Sequence, residues 1–147
     1  MSGPTDIEEK SILDARLDRV GALWLGLFTT MPADDGTGGV EVSGGSYARV
    51  AINASSTQWA AATSASAPSV KKGPTGANTW VFPTPTANWG DTIGIGLFDA
   101  STSGNVLWTA QYAAGIIITI NNGDPPLSFD SAHQITFQCG DPSDSFT

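Results

Sequence analysis

Two side chain types do proton-transfer and nucleophilic chemistry near neutral pH most readily, and the chain has one of each, His133 and Cys139. A Ser–His–Asp triad would have to be built on His133, because base and nucleophile must meet through one imidazole. No G-x-S-x-G elbow accompanies it; the nearest stretch, Gly44-Gly45-Ser46-Tyr47-Ala48, fails at its last position. His133 stands in a polar turn ahead of a strand pattern and reads as an ordinary surface residue. Cys139 falls on the apolar face of an alternating segment and reads as a small core residue. A lone cysteine excludes an intrachain disulfide and a thiolate metal cluster, and one His with one Cys leaves a zinc tetrad short. Asp34-Asp35-Gly36 lacks the alternating acids and closing Glu of a calcium loop. Gly36–Gly45 contains no G-K-[ST], so its glycines serve backbone turns rather than phosphate binding. Glu41, Asp91, Asp99, Asp124 and Asp130 are loop carboxylates of the kind a glycosidase pairs, but none has a distinctive neighbourhood. No catalytic residue, metal or cofactor is expected.

The stronger chemical signal is aromatic. Trp24, Trp80 and Trp108 lie on strand patterns and are expected in the core. Trp59 and Trp89 lie in loops and are candidate anchors for a protein interface, together with Ile12, Leu13 and Leu17 on an apolar helix face. Indoles exposed on a sheet would instead form a sugar-stacking platform, which keeps a carbohydrate-binding module as an alternative.

These residues must be positioned by two kinds of element. Thr5-Asp6-Ile7-Glu8 fits a capping box, acids crowd the first turn, Arg16 and Arg19 the last, and Gly21 follows as a C-cap. With Leu13, Leu17 and Val20 at helical spacing, residues 6–20 are predicted as one amphipathic helix. After it, strand patterns at 22–30, 47–53, 79–82, 93–99, 106–111, 115–120 and 134–139 alternate with Gly, Pro, Asn and Asp turns. The expected architecture is a mainly β antiparallel β-sandwich of about seven strands with one N-terminal helix. The domain division expected is a helix or arm at 1–21 and a β-sandwich at 22–147, a single domain overall. Trp24-Leu25-Gly26-Leu27-Phe28 echoes Ile95-Gly96-Leu97-Phe98, which suggests equivalent places in one sheet. Residues 54–78 lack periodicity and read as a long loop.

Composition narrows the partners. Of 147 residues, 40% are apolar and only 14% charged, with 17 Gly and 9 Pro, a profile for turns and short strands. The net charge of −8 leaves little to neutralise phosphate, so nucleic acid and anionic membrane are not expected as partners. The start lacks the basic and apolar regions of a signal peptide, and the near-apolar run Val20–Phe28 is too short to span a bilayer. Synthesis and folding in a reducing cytoplasm are the expectation.

The ordered segments carry a resemblance. They run from Glu9-Lys10-Ser11-Ile12-Leu13 through Leu25-Gly26-Leu27-Phe28-Thr29-Thr30-Met31-Pro32 to Gly38-Gly39-Val40-Glu41-Val42-Ser43-Gly44-Gly45-Ser46-Tyr47-Ala48-Arg49. Phe82-Pro83-Thr84-Pro85-Thr86-Ala87-Asn88-Trp89-Gly90, Ile95-Gly96-Leu97-Phe98-Asp99-Ala100, Gly104-Asn105-Val106-Leu107-Trp108 and Asn122-Gly123-Asp124 follow. Together they resemble a family of small virion proteins of tailed bacteriophages, loosely labelled tail-fibre proteins. Segment 54–78 is longer than is usual there, and residues after Cys139 fall outside the resemblance. It implies a non-enzymatic part of a phage virion whose partners are the major capsid protein or tail proteins. A fibre shaft needs repeats or heptads, and none is present. The expectation is therefore a head decoration (cement) protein on the outer capsid, with a tail-attached knob or fibre joint as the alternative. By the same resemblance a homo-oligomer is expected, with a trimer favoured.

Overall fold

The computed structural model describes residues 6–18, 22–53, 57–63 and 69–139. The Thr5 cap, Arg19, Val20 and Gly21, and the side chain of Cys139, lie outside what is described. In chain order the elements are α1 (Asp6–Leu17), β1 (Ala22–Thr30), β2 (Val40–Glu41), β3 (Val50–Asn53), β4 (Ser69–Gly73), β5 (Trp80–Val81), β6 (Gly90–Thr92), β7 (Gly94–Phe98), β8 (Val106–Gln111), β9 (Ile118–Ile120), β10 (Ser128–Phe129) and β11 (Ile135–Cys139). The fold is mainly β with one helix near its start, and the β1–β2, β1–β7, β7–β8, β6–β9 and β4–β11 pairs are antiparallel. All seven expected strands are present in part, and β2, β4, β6 and β10 are additional.

The chain forms two compact units, one from residues 1–21, 53–79 and 129–147 and the other from 22–52 and 80–128. In the first, α1 packs on β4 and β11. Lys71 stands opposite Phe137 and Gly73 opposite Ile135, so these four share one face, and that face is buried. Lys72 and Thr136 oppose each other on the other face and are exposed, the two-residue period of a half-buried strand. Leu13 and Leu17, one helical turn apart, are fully buried and supply the helix stripe. The edge of Trp59 meets Phe137 with centroids 5.4 Å apart. Residues 57–63 run beside β4, held by the Ala60 N–H to the Lys72 carbonyl at 2.8 Å.

The second unit is built on a sheet in the order β2-β1-β7-β8, with β3 also pairing β1. Every residue of β7 is buried, which explains its continuous apolar run. The two echoing segments lie side by side: Leu25 faces Leu97, and Gly26 faces Gly96. A Cβ on Gly26 would come within 2.7 Å of the Phe98 ring, and one on Gly96 would collide with the Phe28 ring. The rings of Phe28 and Phe98, 5.7 Å apart, therefore lie over a floor that only glycine can form. In the same unit β6 pairs β9, and the buried Thr92 hydroxyl donates to the Ile118 carbonyl at 2.9 Å.

Candidate functional site

Unit 2 gathers its polar side chains around β2 and the segment leading into β3. Glu41 ends β2 opposite Phe28. Tyr47 and Arg49 arrive from a tight turn in which Gly45 and Ser46 both have positive φ (56° and 64°) and the Tyr47 N–H donates to the Gly44 carbonyl at 2.9 Å. Two successive left-handed residues make a type I′ geometry, which accounts for the glycine-rich sequence there. The Gly45 carbonyl accepts from the Trp89 indole N–H at 2.9 Å and from the Thr86 N–H at 3.0 Å, tying the turn to the segment before β6.

The Tyr47 hydroxyl donates to Glu41 Oε1 at 2.8 Å and accepts the Leu27 N–H at 2.8 Å, completing a backbone donor of β1 that no strand pairs. Arg49 grips both Glu41 oxygens, through Nε at 2.8 Å and Nη2 at 2.7 Å. Its Nη1 donates to the carbonyls of Ala100 and Ser103, both at 2.7 Å, so the guanidinium clamps the loop between β7 and β8. Its plane lies over the Phe98 ring, 3.4 Å from the centroid. Asp99 closes the same loop by accepting from the Asn105 N–H at 2.7 Å and side-chain amide at 2.8 Å. Burial, reinforced by the nearby Glu41 charge, pushes the Tyr47 phenol far above its ordinary value despite the Leu27 N–H. An open cleft of about 270 Å³ lies over this cluster, lined by Glu41, Tyr47, Arg49 and Ser101–Ser103 among others. Each charged group in it already faces a protein partner, so the arrangement holds backbone rather than activating a nucleophile.

Unit 1 has its own polar centre. Lys71, 1% exposed, meets Asp14 at 2.5 Å and Asp18 at 3.0 Å, two carboxylates four residues apart, one in the last turn of α1 and one just past its end. Burial works to raise Asp14, but the hydrogen bond and charge of Lys71 outweigh it and hold the carboxyl below its ordinary value. Sequence reasoning missed this lysine because Lys71-Lys72 reads as solvated loop. The legible clue was the carboxylate pair at i, i+4 at the end of the helix.

Four of the five expected interface residues are spent on internal packing. Trp59 is 2% exposed and Trp89 5%, and Leu13 and Leu17 have no exposed surface; Ile12 is half-buried. Loop position did not imply exposure, because Trp89 fills unit 2 edge-on to Tyr47 at 5.2 Å while Trp59 packs against Phe137 in unit 1. Trp80 is buried as expected, and Trp24 and Trp108 are half-buried. His133 is exposed, its ring Nδ1 3.0 Å from Asp130 Oδ1, which also accepts the His133 and Ala132 N–H groups at 2.8 and 2.9 Å. Among the described residues no three His, Cys, Asp or Glu side chains gather as metal ligands, and no helix is long and apolar enough to cross a membrane.

The sequence profile of the family described as podophage GP4 fiber I protein gp80 matches residues 5–138. No curated protein matches the chain.

Proposed function

The chain belongs to the podophage GP4 fiber I protein gp80 family and is a virion structural component, and from that premise we propose that it is a non-enzymatic joint of the fibre apparatus. It holds other virion proteins together instead of forming a shaft. The observation that carries this reading is the family match across nearly all the described chain. The geometry agrees with it: Arg49, Glu41, Tyr47 and Lys71 are committed to internal contacts, as suits a rigid connector. The absence of shaft repeats or heptads points to head decoration, while the fibre description of the family favours the fibre-joint alternative. A sugar-binding role loses support, since Trp59, Trp80 and Trp89 are buried and Trp24 and Trp108 are half-buried.

Copy number on the purified particle separates the two virion positions. A fibre joint follows tail symmetry and is present in roughly a dozen copies or a small multiple. A count on the order of hundreds, following the shell, would overturn the fibre reading and restore head decoration.

A further inference from the structure

We propose that Asn122 is a site of spontaneous deamidation, held in check by two hydrogen bonds from its turn to residues 85–88. The reaction starts when the backbone nitrogen of the following residue attacks the asparagine side-chain carbonyl. Bulk on that residue therefore decides how closely the nitrogen can approach. Of the six asparagines in the chain, Asn122 is the one followed by glycine. The others precede Ala54, Thr79, Trp89, Val106 and Asn122, each of which carries a side chain. Two of them are also engaged through Nδ2: Asn78 donates to the Thr57 and Thr75 carbonyls at 2.7 and 2.8 Å, and Asn105 to Asp99 Oδ2 at 2.8 Å. The Asn122 side chain is exposed, and its amide takes no protein partner among the described residues.

The chemistry balances with water as the one co-reactant. The Gly123 nitrogen gives up its proton and bonds to Asn122 Cγ, the Cγ–Nδ2 bond breaks, and the amide nitrogen leaves as ammonia. Water then opens the five-membered imide at one carbonyl or the other. The product at this position is an aspartate or an isoaspartate.

The fold restrains the first step. Asp124 donates its N–H to the Asn121 carbonyl at 3.1 Å, and Gly123 takes the third position with φ 82°, a type II turn. In that turn the Gly123 N–H donates to the Pro85 carbonyl at 3.0 Å, so the attacking nitrogen keeps its proton and is directed elsewhere. The Asn122 N–H donates to Asn88 Oδ1 at 2.9 Å and fixes the residue against the same segment. Reaction then requires a local opening of the turn, of the kind exposed loops undergo at low cost. Asp35-Gly36, the one aspartate–glycine pair, offers a contrast. The Thr37 hydroxyl and N–H donate to Asp35 Oδ1 at 2.7 and 2.9 Å and hold its carboxyl below the ordinary value. A carboxylate is a poor electrophile, so product accumulates first at Asn122. The product places a new carboxylate beside Asp124 in a chain already at −8. Its isoaspartate form also lengthens the backbone inside the turn.

The inference is independent of the fibre reading, and its test reads a covalent product. The full chain is incubated at mildly alkaline pH, folded and in urea, and peptide mass mapping locates each amide converted to acid. Conversion is expected at Asn122 ahead of every other asparagine, and faster in urea than in the folded chain. Asn88→Ala, at an exposed position, should speed folded-state conversion roughly two- to tenfold, the weight of one ordinary hydrogen bond. Thr119→Ala removes an exposed hydroxyl that donates to Asp91 at 2.6 Å on the neighbouring β6–β9 ladder, and should leave the rate unchanged. An intact Asn122 in urea, conversion beginning at another asparagine, or equal rates folded and unfolded would overturn the proposal. So would an Asn88→Ala rate equal to the parent's, or an equal acceleration by Thr119→Ala.

Discussion

Tyr47 shows how one hydroxyl can stabilise a strand it does not belong to. Its oxygen accepts the Leu27 N–H and its proton goes to Glu41, so removing it strands a donor in β1 and leaves Glu41 to Arg49 alone. Tyr47→Phe should lower stability by about 1–3 kcal/mol, read as a lower urea midpoint at unchanged m-value. Because burial raises this phenol in the folded chain from its ordinary 10.0, the unfolded chain releases the proton first. The stability it contributes is present below about pH 10 and lost as pH rises above it, and Tyr47→Phe should flatten that alkaline slope. Asp14 acts in the opposite sense. Lys71 lowers its carboxyl below the ordinary 3.8, so the folded chain resists protonation and stability falls as pH drops below about 4. An acid titration of unfolding free energy on Asp14→Asn should lose part of this slope; an unchanged slope would show that Asp14 is not its source. Lys71→Met, which leaves Asp14 and Asp18 without their counter-charge, should lower stability by about 1.5–3 kcal/mol, the worth of hydrogen bonds to charged groups.

At the scale of elements, α1 is a wall of unit 1 and not a free arm. Leu13 and Leu17 are fully buried, and Asp14 and Asp18 are the counter-charges of Lys71. Deleting residues 1–20 should expose Phe137 and Trp59 and leave a buried ammonium without its carboxylates, a loss of several kcal/mol. Hydrogen exchange should then show β4 and β11 losing protection; protection equal to the full chain would mean that the helix is dispensable. The helix itself was legible from its spaced leucines, and β1, β7, β8 and β11 from apolar runs and alternation. The Gly26–Gly96 pairing was legible as an echo of two glycine-centred motifs. Strand β4 was not, because its inward residue is a lysine whose place depends on two acids more than fifty residues away. Strands β2 and β10 are two residues long, too short for any period to register. The Glu41–Tyr47–Arg49 cluster escaped for the same reason as Lys71: its members are unremarkable until the turn at Gly45 and Ser46 brings them together.

At the scale of the molecule, the charge balance and the chain path govern behaviour. Six basic residues face fourteen acids, and two of the six, Arg49 and Lys71, are consumed by internal ion pairs. Duplex DNA at about 0.15 M salt should therefore not shift the protein's mobility in a gel or its light-scattering mass. Unit 2 is made of two stretches, and unit 1 of the stretches before, between and after them. Thus α1 and β11, the first and last elements, belong to one unit and touch each other, while the five-stranded sheet is threaded between them. Tension entering through α1 and leaving through β11 is borne by the grip of α1 on β4 and β11 and by the β4–β11 ladder loaded along its length. A pull strong enough to part α1 from its two strands would open unit 1 along its own contacts.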